Sequence, residues 1–184
     1  MLELIKEIRE ETGAGIIDIK EALNKSAGNK EKALIILKKK GLQKADKKAN
    51  RLANEGVVVS YVHANGKSGA LVKILCETDF VAKNSDFQKL ANDIAMQIVA
   101  MNPVGVLPED IQDTMVEGEI KELENSDLTE DQIKEKIDNL KKDKALYTQA
   151  FIKDPEITIG ELIKDKIATI GENIKVAEFV KFDI

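Results

Sequence analysis

Apolar residues recur at helical spacing through the first forty positions, and past Gly56 the period changes. Leu2, Ile5 and Ile8, with Leu4, put an apolar stripe on one short helix, which Thr12-Gly13-Ala14-Gly15 interrupts. A second stripe, Ile16, Ile19, Ala22 and Leu23, runs to Ala27-Gly28, where Gly28 is a natural left-handed cap. Asn29 is placed to cap the start of a third helix with Ala33, Leu34, Ile36 and Leu37 inward and Gly41 as its stop. A fourth helix, thinly lined by Leu42, Ala45, Ala49, Leu52 and Ala53, then leads out of a three-helix bundle of about the smallest size that buries its own core.

After Gly56, Val57-Val58-Val59-Ser60-Tyr61-Val62-His63 and Ala70-Leu71-Val72-Lys73-Ile74-Leu75-Cys76 flank Asn65-Gly66, which predicts an antiparallel hairpin. Ser85 with Gln88 reads as a capping box opening a long helix with Phe87, Leu90, Ala91, Ile94, Ala95, Ile98 and Val99 inward, broken at Asn102-Pro103. Residues 109–147 read as a charged helical arm, interrupted near Asn125-Ser126-Asp127 and restarted by Thr129 and Gln132. Ile159, Leu162, Ile163, Ile167 and Ile170 line a helix that Gly171 closes, and residues 174–184 alternate as a strand. The expected architecture is α+β: residues 1–53 as a three-helix head plus basic linker helix, and residues 54–184 as a core of a three-stranded antiparallel sheet, helices on one face, and the arm.

Composition narrows the chemistry. A chain of 184 residues, 43% apolar, suits one or two small domains, and 4% aromatics without Trp dictates an aliphatic core with little ring surface for stacking bases. One His and one Cys are too few for a zinc cluster, a disulfide framework or a two-histidine site. Neither a metal nor a cofactor is expected. The net charge of −5 is uneven, because residues 1–53 carry 13 basic against 8 acidic side chains and the remainder 15 against 25. No run approaches the roughly 18 apolar residues of a bilayer span, and Met1 to Lys6 alternates charged with apolar residues, unlike a signal peptide. An unexported, cytoplasmic protein with a reduced thiol and no membrane partner is expected.

Most motifs that invite chemistry have simpler readings. Gly66-Lys67-Ser68 ends like a phosphate loop, but the first Gly of that pattern falls on Tyr61 and the triplet sits in a hairpin turn, so no nucleotide site is expected. His63 ends a strand without a partner for base catalysis, and Cys76, in an apolar strand, reads as a small buried hydrophobe. Residues 38–51 hold seven basic side chains and one acid, a possible phosphate-contacting surface, yet only two arginines, Arg9 and Arg51, occur in the chain and no aromatics interleave. Nucleic-acid binding is therefore the secondary reading. Two stretches exceed the needs of folding. Ile16 and Ile17 point about 100° apart on a helix, so one of them is expected to be an exposed contact. Thr78-Asp79-Phe80-Val81-Ala82-Lys83 puts a Phe beside an acid just past a strand end, where the ring either folds under its own helix or awaits a partner.

These stretches carry a resemblance. Leu4 to Leu23, with Arg9, Thr12-Gly13-Ala14-Gly15, Asp18, Lys20 and Ala22-Leu23, resembles the N-terminal signature of the bacterial translation elongation factor Ts family, and Glu77-Thr78-Asp79-Phe80-Val81-Ala82-Lys83-Asn84 resembles its second. Phe151-Ile152-Lys153-Asp154-Pro155 and Ile170-Gly171-Glu172-Asn173-Ile174 are similar to its C-terminal part, leaving about 109–145 generic. The resemblance is to the family's short form, with one core subdomain.

The resemblance implies a ubiquitin-associated-like head and a guanine nucleotide exchange factor for elongation factor Tu, which makes and breaks no bond, binds no nucleotide itself and needs no cofactor. It implies a wedge of Thr78, Asp79, Phe80, Val81 and Lys83 against the GTPase domain, disturbing its Mg²⁺–phosphate site. It implies a second contact through Arg9, Thr12, Gly13, Ile16 and Ile17, and a homodimer through the acidic core. The alternative is a ribosome- or RNA-associated protein that uses residues 38–51.

Overall fold

The structure, a computed structural model, describes residues 2–184. Three helices, α1 (Leu2–Thr12), α2 (Ile16–Lys25) and α3 (Lys30–Lys48), bury Ile5, Ile8, Ile19, Ala22, Leu23, Ala33 and Leu37 in a core of their own. Leu2, expected on the inner stripe, is exposed and Leu4 takes its place against the core. The reversal after α2 uses positive φ at Ala27 and Gly28 (51° and 82°), and the Asn29 side chain then accepts from the Lys32 N–H at 2.9 Å, the cap read from sequence.

Gly41 does not stop the third helix. A side chain there would meet Ala168 Cβ at 3.2 Å, so Gly41 is where α3 comes close to α8 (Ile159–Ile170). A glycine inside a helix costs about 1 kcal/mol relative to alanine, which close packing of this kind offsets. There is thus no separate fourth helix: the basic segment is the second half of α3 plus an irregular stretch at 49–54.

The sheet has the expected three antiparallel strands, in the order β1 (Glu55–Val62), β2 (Ser68–Cys76) and then, last in the chain, β5 (Lys175–Asp183). The hairpin turn is held by Gly66 N–H to His63 O at 2.8 Å and by Lys67 N–H to Asn65 Oδ1 at 2.9 Å. After β2 come the one-turn helix α4 (Asp79–Ala82) and α5 (Ser85–Met101). The α5 cap is Asn84, whose side chain accepts from Asp86 N–H at 2.7 Å; Gln88 turns back to Ala82 O, and the Ser85/Gln88 box does not form. Phe87, Leu90, Ala91, Ile94, Ala95 and Ile98 are buried as their spacing requires, against Val72, Ile74 and Cys76 of β2 and Ile163 and Ile167 of α8. Asn102, in the left-handed region, and Pro103 end α5.

The arm is a helical hairpin, α6 (Glu117–Glu124) and α7 (Glu130–Lys144), with the Thr129/Gln132 box formed as expected and a small cluster of Ile111, Val116, Ile120 and Ala145 at its base. A short hairpin, β3 (Ala150–Phe151) and β4 (Asp154–Thr158), was not legible in the pattern. It is fastened by Gln97, fully buried on α5, whose side chain donates to Ala150 O at 3.0 Å and accepts from Ile152 N–H at 2.9 Å.

Gln97→Leu would keep the volume but strand a backbone N–H and a carbonyl. A buried unsatisfied group costs about 1–3 kcal/mol, so a loss of that size is expected in denaturant unfolding, and an unchanged midpoint would show that the hairpin does not depend on this side chain.

Candidate partner-binding site

Where β2 ends, the chain turns over Glu77 and Thr78 into α4. Thr78 caps that turn, its Oγ1 accepting from Val81 N–H at 3.4 Å. In so short a helix the side that packs inward is fixed: Ala82 is buried and Val81 lies against the core. Asp79, Phe80 and Lys83 therefore face outward, and Phe80 is 80% exposed. The ring does not fold back under its own helix. Asp79 and Lys83 pair at 2.8 Å across one turn; the hydrogen bond from Lys83 holds the Asp79 carboxyl below its ordinary range, and the same bond raises Lys83. Both side chains are open to water, so this pair orients the turn more than it stabilises it.

The support of the turn comes from ninety residues further along the chain. Glu172, just past α8, accepts from Glu77 N–H at 3.1 Å and Thr78 N–H at 3.0 Å with one carboxylate oxygen, and from the Thr78 hydroxyl at 2.7 Å with the other. Asn173 N–H donates in return to the Glu77 carboxylate at 2.6 Å. The Asn173 side chain donates to Ala49 O at 3.1 Å and Arg51 O at 2.7 Å, and Lys48 Nζ to Gly171 O at 2.6 Å. Arg51 lies 3.6 Å from Glu77. Gly171, with φ 94°, closes α8 and lets the chain deliver Glu172 and Asn173 to this point. Three segments far apart in sequence, the end of α3, the 77–83 turn and the turn after α8, are thus joined by one polar network.

On the head, Ile16 and Ile17 are 43% and 74% exposed. Both point outward, where only one had been expected to, because Ile19, Ala22 and Leu23 alone satisfy the inner face of α2. With Arg9, Gly15 and Asp18 they edge a shallow hollow. Thr12 and Gly13 have local structural partners: the Thr12 hydroxyl donates to Ile8 O at 2.6 Å and accepts from Ala14 N–H at 3.2 Å, while Gly13, at φ 65°, has Thr169 Cγ2 only 2.7 Å from where a Cβ would stand. They shape the α1–α2 turn and its approach to α8. Of the ten candidate residues the hollow brings together Arg9, Ile16 and Ile17, and none of 78–83 lies on it.

Much of the basic segment is already engaged. Asp18 bridges Lys40, at 2.7 Å, and Lys44, and those two hydrogen bonds lower its carboxyl below the ordinary range. Lys40 also reaches Glu21 at 2.8 Å, and Asp46 pairs with Lys164 at 2.8 Å. The head, α3 and α8 together border a cavity of about 550 Å³ whose lining includes Asp18, Lys40 and Lys44 with Glu11, Lys38 and Asp165.

His63 is exposed at the hairpin turn, 3.2 Å from the Tyr61 hydroxyl. Cys76 is fully buried, donates to Thr78 O at 3.2 Å, and burial pushes its thiol up to about 11. Among the described residues no three His, Cys, Asp or Glu side chains group as metal ligands, and no helix is long and apolar enough to cross a membrane.

The raised Cys76 pKa means about a hundredfold less thiolate than in an exposed cysteine near neutral pH, with inaccessibility adding to that. Native protein should therefore react with a thiol reagent such as 5,5′-dithiobis-(2-nitrobenzoate) at least about a hundredfold more slowly than unfolded chain. Comparable rates would mean that the strand end opens freely.

Against known proteins, residues 19–184 match the family model described as Elongation factor TS. Elongation factor Ts of Carboxydothermus hydrogenoformans is 44% identical over 190 residues, covering 99% of this chain and 88% of that protein. That of Fervidobacterium nodosum is 45% identical over 191 residues, covering 99% and 96%, and that of Desulfosudis oleivorans 43% over 187, covering 97% and 94%. The relatives extend over the head, whose first eighteen residues precede the family model's match, and their lengths are close to that of this chain. The family-model match over residues 19–184 and nearly end-to-end identity above 40% to its members lead to one conclusion: the chain is a member of the elongation factor Ts family of translation elongation factors.

Proposed function

We propose that this chain is a cytoplasmic guanine nucleotide exchange factor for elongation factor Tu, releasing GDP without bond chemistry and without binding the nucleotide itself. The observation that carries the reading is Phe80: an aromatic ring 80% exposed, on a one-turn helix whose start is held by Glu172. A ring buried in a partner contributes about 1.5–3 kcal/mol that the free chain leaves unused. Thr78 and Val81 set the backbone of the wedge, Phe80 enters between helices of the GTPase domain, and Asp79 and Lys83 flank it. Arg9, Ile16 and Ile17 hold a second edge of that domain, with Thr12 and Gly13 setting the shape of their turn. Displacing elements around a Mg²⁺ and phosphate site weakens GDP, whose ligands need close placement. The coupling is reciprocal, since factor and nucleotide each weaken the other by the same factor, typically about 1–3 kcal/mol.

In this reading residues 1–53 and 54–184 divide the work, the first docking and the second wedging and self-pairing. The homodimer is supported by the sheet face away from α5. Val58, Val62, Leu71, Val180 and Phe182 are exposed there, with Leu71 beside Val180 and Lys73 paired to Glu178 at 3.2 Å. An apolar face that also carries Lys73, Lys175 and Glu178 offers a second copy both apolar area and charges of either sign to pair with about a two-fold axis. The RNA-binding alternative is disfavoured because Lys40, Lys44, Lys48 and Arg51 already have partners inside the chain.

Release of fluorescent GDP from elongation factor Tu tests the assignment. Phe80→Ala is expected to slow factor-stimulated release at least about tenfold while shifting unfolding by no more than about 0.5 kcal/mol, as suits an exposed side chain. Ile17→Asp is expected to raise the factor concentration needed for half-maximal release. Unchanged release in both variants would overturn the reading, and a larger effect from neutralising Lys39 and Lys47 would favour the RNA alternative.

Light scattering should give a molar mass near twice 20.3 kDa for the chain, falling to the single-chain value in Phe182→Glu. A monomeric wild type with full exchange activity would contradict the pairing.

A further inference from the structure

We propose that Glu172 is a positioning residue for exchange: its carboxylate fixes the 77–80 backbone so that Phe80 is presented at one angle. This rests on the reading of Phe80 as the wedge. Glu172 is half-buried, and its hydrogen bonds go to Glu77 and Thr78 and not to Phe80 or Asp79. Its two oxygens take three donors from two consecutive residues, Glu77 N–H, Thr78 N–H and Thr78 Oγ1–H. The Thr78 hydroxyl thereby spends its proton on Glu172 and turns a lone pair to Val81 N–H, the bond that starts α4. The start of the helix carrying Phe80 is thus set by a carboxylate from another part of the fold.

The arrangement exceeds what stability alone requires. Backbone N–H groups at a strand end can be satisfied by water, at little net cost. A carboxylate accepting two N–H and one O–H donors fixes a direction as well as satisfying them, since charge-assisted bonds are short and directional. The same turn after α8 is tied to α3 through Asn173 and Lys48, so a load on the head helix and a load on the wedge meet at Gly171-Glu172-Asn173. A wedge that must push apart a nucleotide site needs such backing, because a turn free to rotate would let the ring slide aside at little cost.

The test is a double-mutant cycle on GDP release from elongation factor Tu, with factor concentration varied to separate the maximal release rate from the concentration for half-effect. Glu172→Ala is expected to lower the maximal rate about tenfold with less than threefold change in the half-effect concentration, and Glu172→Gln, which keeps one acceptor for the two N–H groups, to recover most of the loss. In the Phe80→Ala background, Glu172→Ala is expected to cost less than twofold more, because the residue acts through the ring. An undiminished maximal rate in Glu172→Ala, or the same tenfold loss without Phe80, would overturn the proposal while leaving the wedge intact; full activity of Phe80→Ala would instead remove the wedge reading on which it rests. Thr78→Val takes away the bridging hydroxyl from the other side and is expected to repeat part of the rate loss, which keeps the question open to refutation if Glu172→Ala does not fold.

Discussion

A phenyl ring held in water has to be held by something else. Phe80 gains nothing from the free chain's core, so its position depends on its backbone, and that backbone depends on three hydrogen bonds into the Glu172 carboxylate. Much of the molecule can be read from this constraint. Gly171 ends α8 where Glu172 can reach the turn, Asn173 receives the end of α3, and Glu77 answers with its own carboxylate to Asn173 N–H. Preorganisation of this sort removes the ordering cost that a flexible loop would pay on binding. The apolar burial of the ring is then left for a partner to use.

The two cores behind this site divide the structural work. The head is small, with seven apolar side chains in its buried core among the described residues, and gains support from α8 at Gly13 beside Thr169 and Gly41 beside Ala168. The larger core of β2, α5 and α8 carries the turn on its edge. Because α3 runs unbroken from the head core to the Glu172 network, the Ile16/Ile17 patch and the Phe80 turn are connected through one helix. The basic run that had offered a nucleic-acid reading lies on that helix and the irregular stretch just past it, and its contacts with Asp18, Glu21, Glu77 and Gly171 give it a structural task.

Periodicity made most of this legible in the sequence. The α5 stripe, the Asn-Gly hairpin, the arm with its break, α8 and the last strand all follow from local spacing, and local spacing is what helices and hairpins obey. The errors lie where a long-range contact outweighs a local rule. Gly41 reads as a stop only until α8 is known to pack on it, and Ser85 reads as a cap although Asn84, one residue earlier, takes the role. Gln97 and Glu172 have no periodic signature, since each is buried or half-buried by partners more than fifty residues away. Of the candidate site, Phe80 and the adjacent isoleucines stood out in the sequence, although the ring could also have folded under its own helix and only one isoleucine was expected outside; all three are exposed. The residue that aims the ring did not stand out, although a Glu-Asn pair directly after a glycine cap and before the buried Ile174 marks a place where polar side chains must find partners within the fold.

The most direct measurement is backbone hydrogen exchange, read by mass spectrometry, of this chain alone and with nucleotide-free elongation factor Tu. Contact through both patches requires added protection in peptides covering residues 9–17 and 78–83, with the sheet strands unchanged. Protection confined to residues 38–51, or none in the 78–83 peptide, would contradict the wedge and with it the central claim that a ring held rigidly from behind opens the nucleotide site.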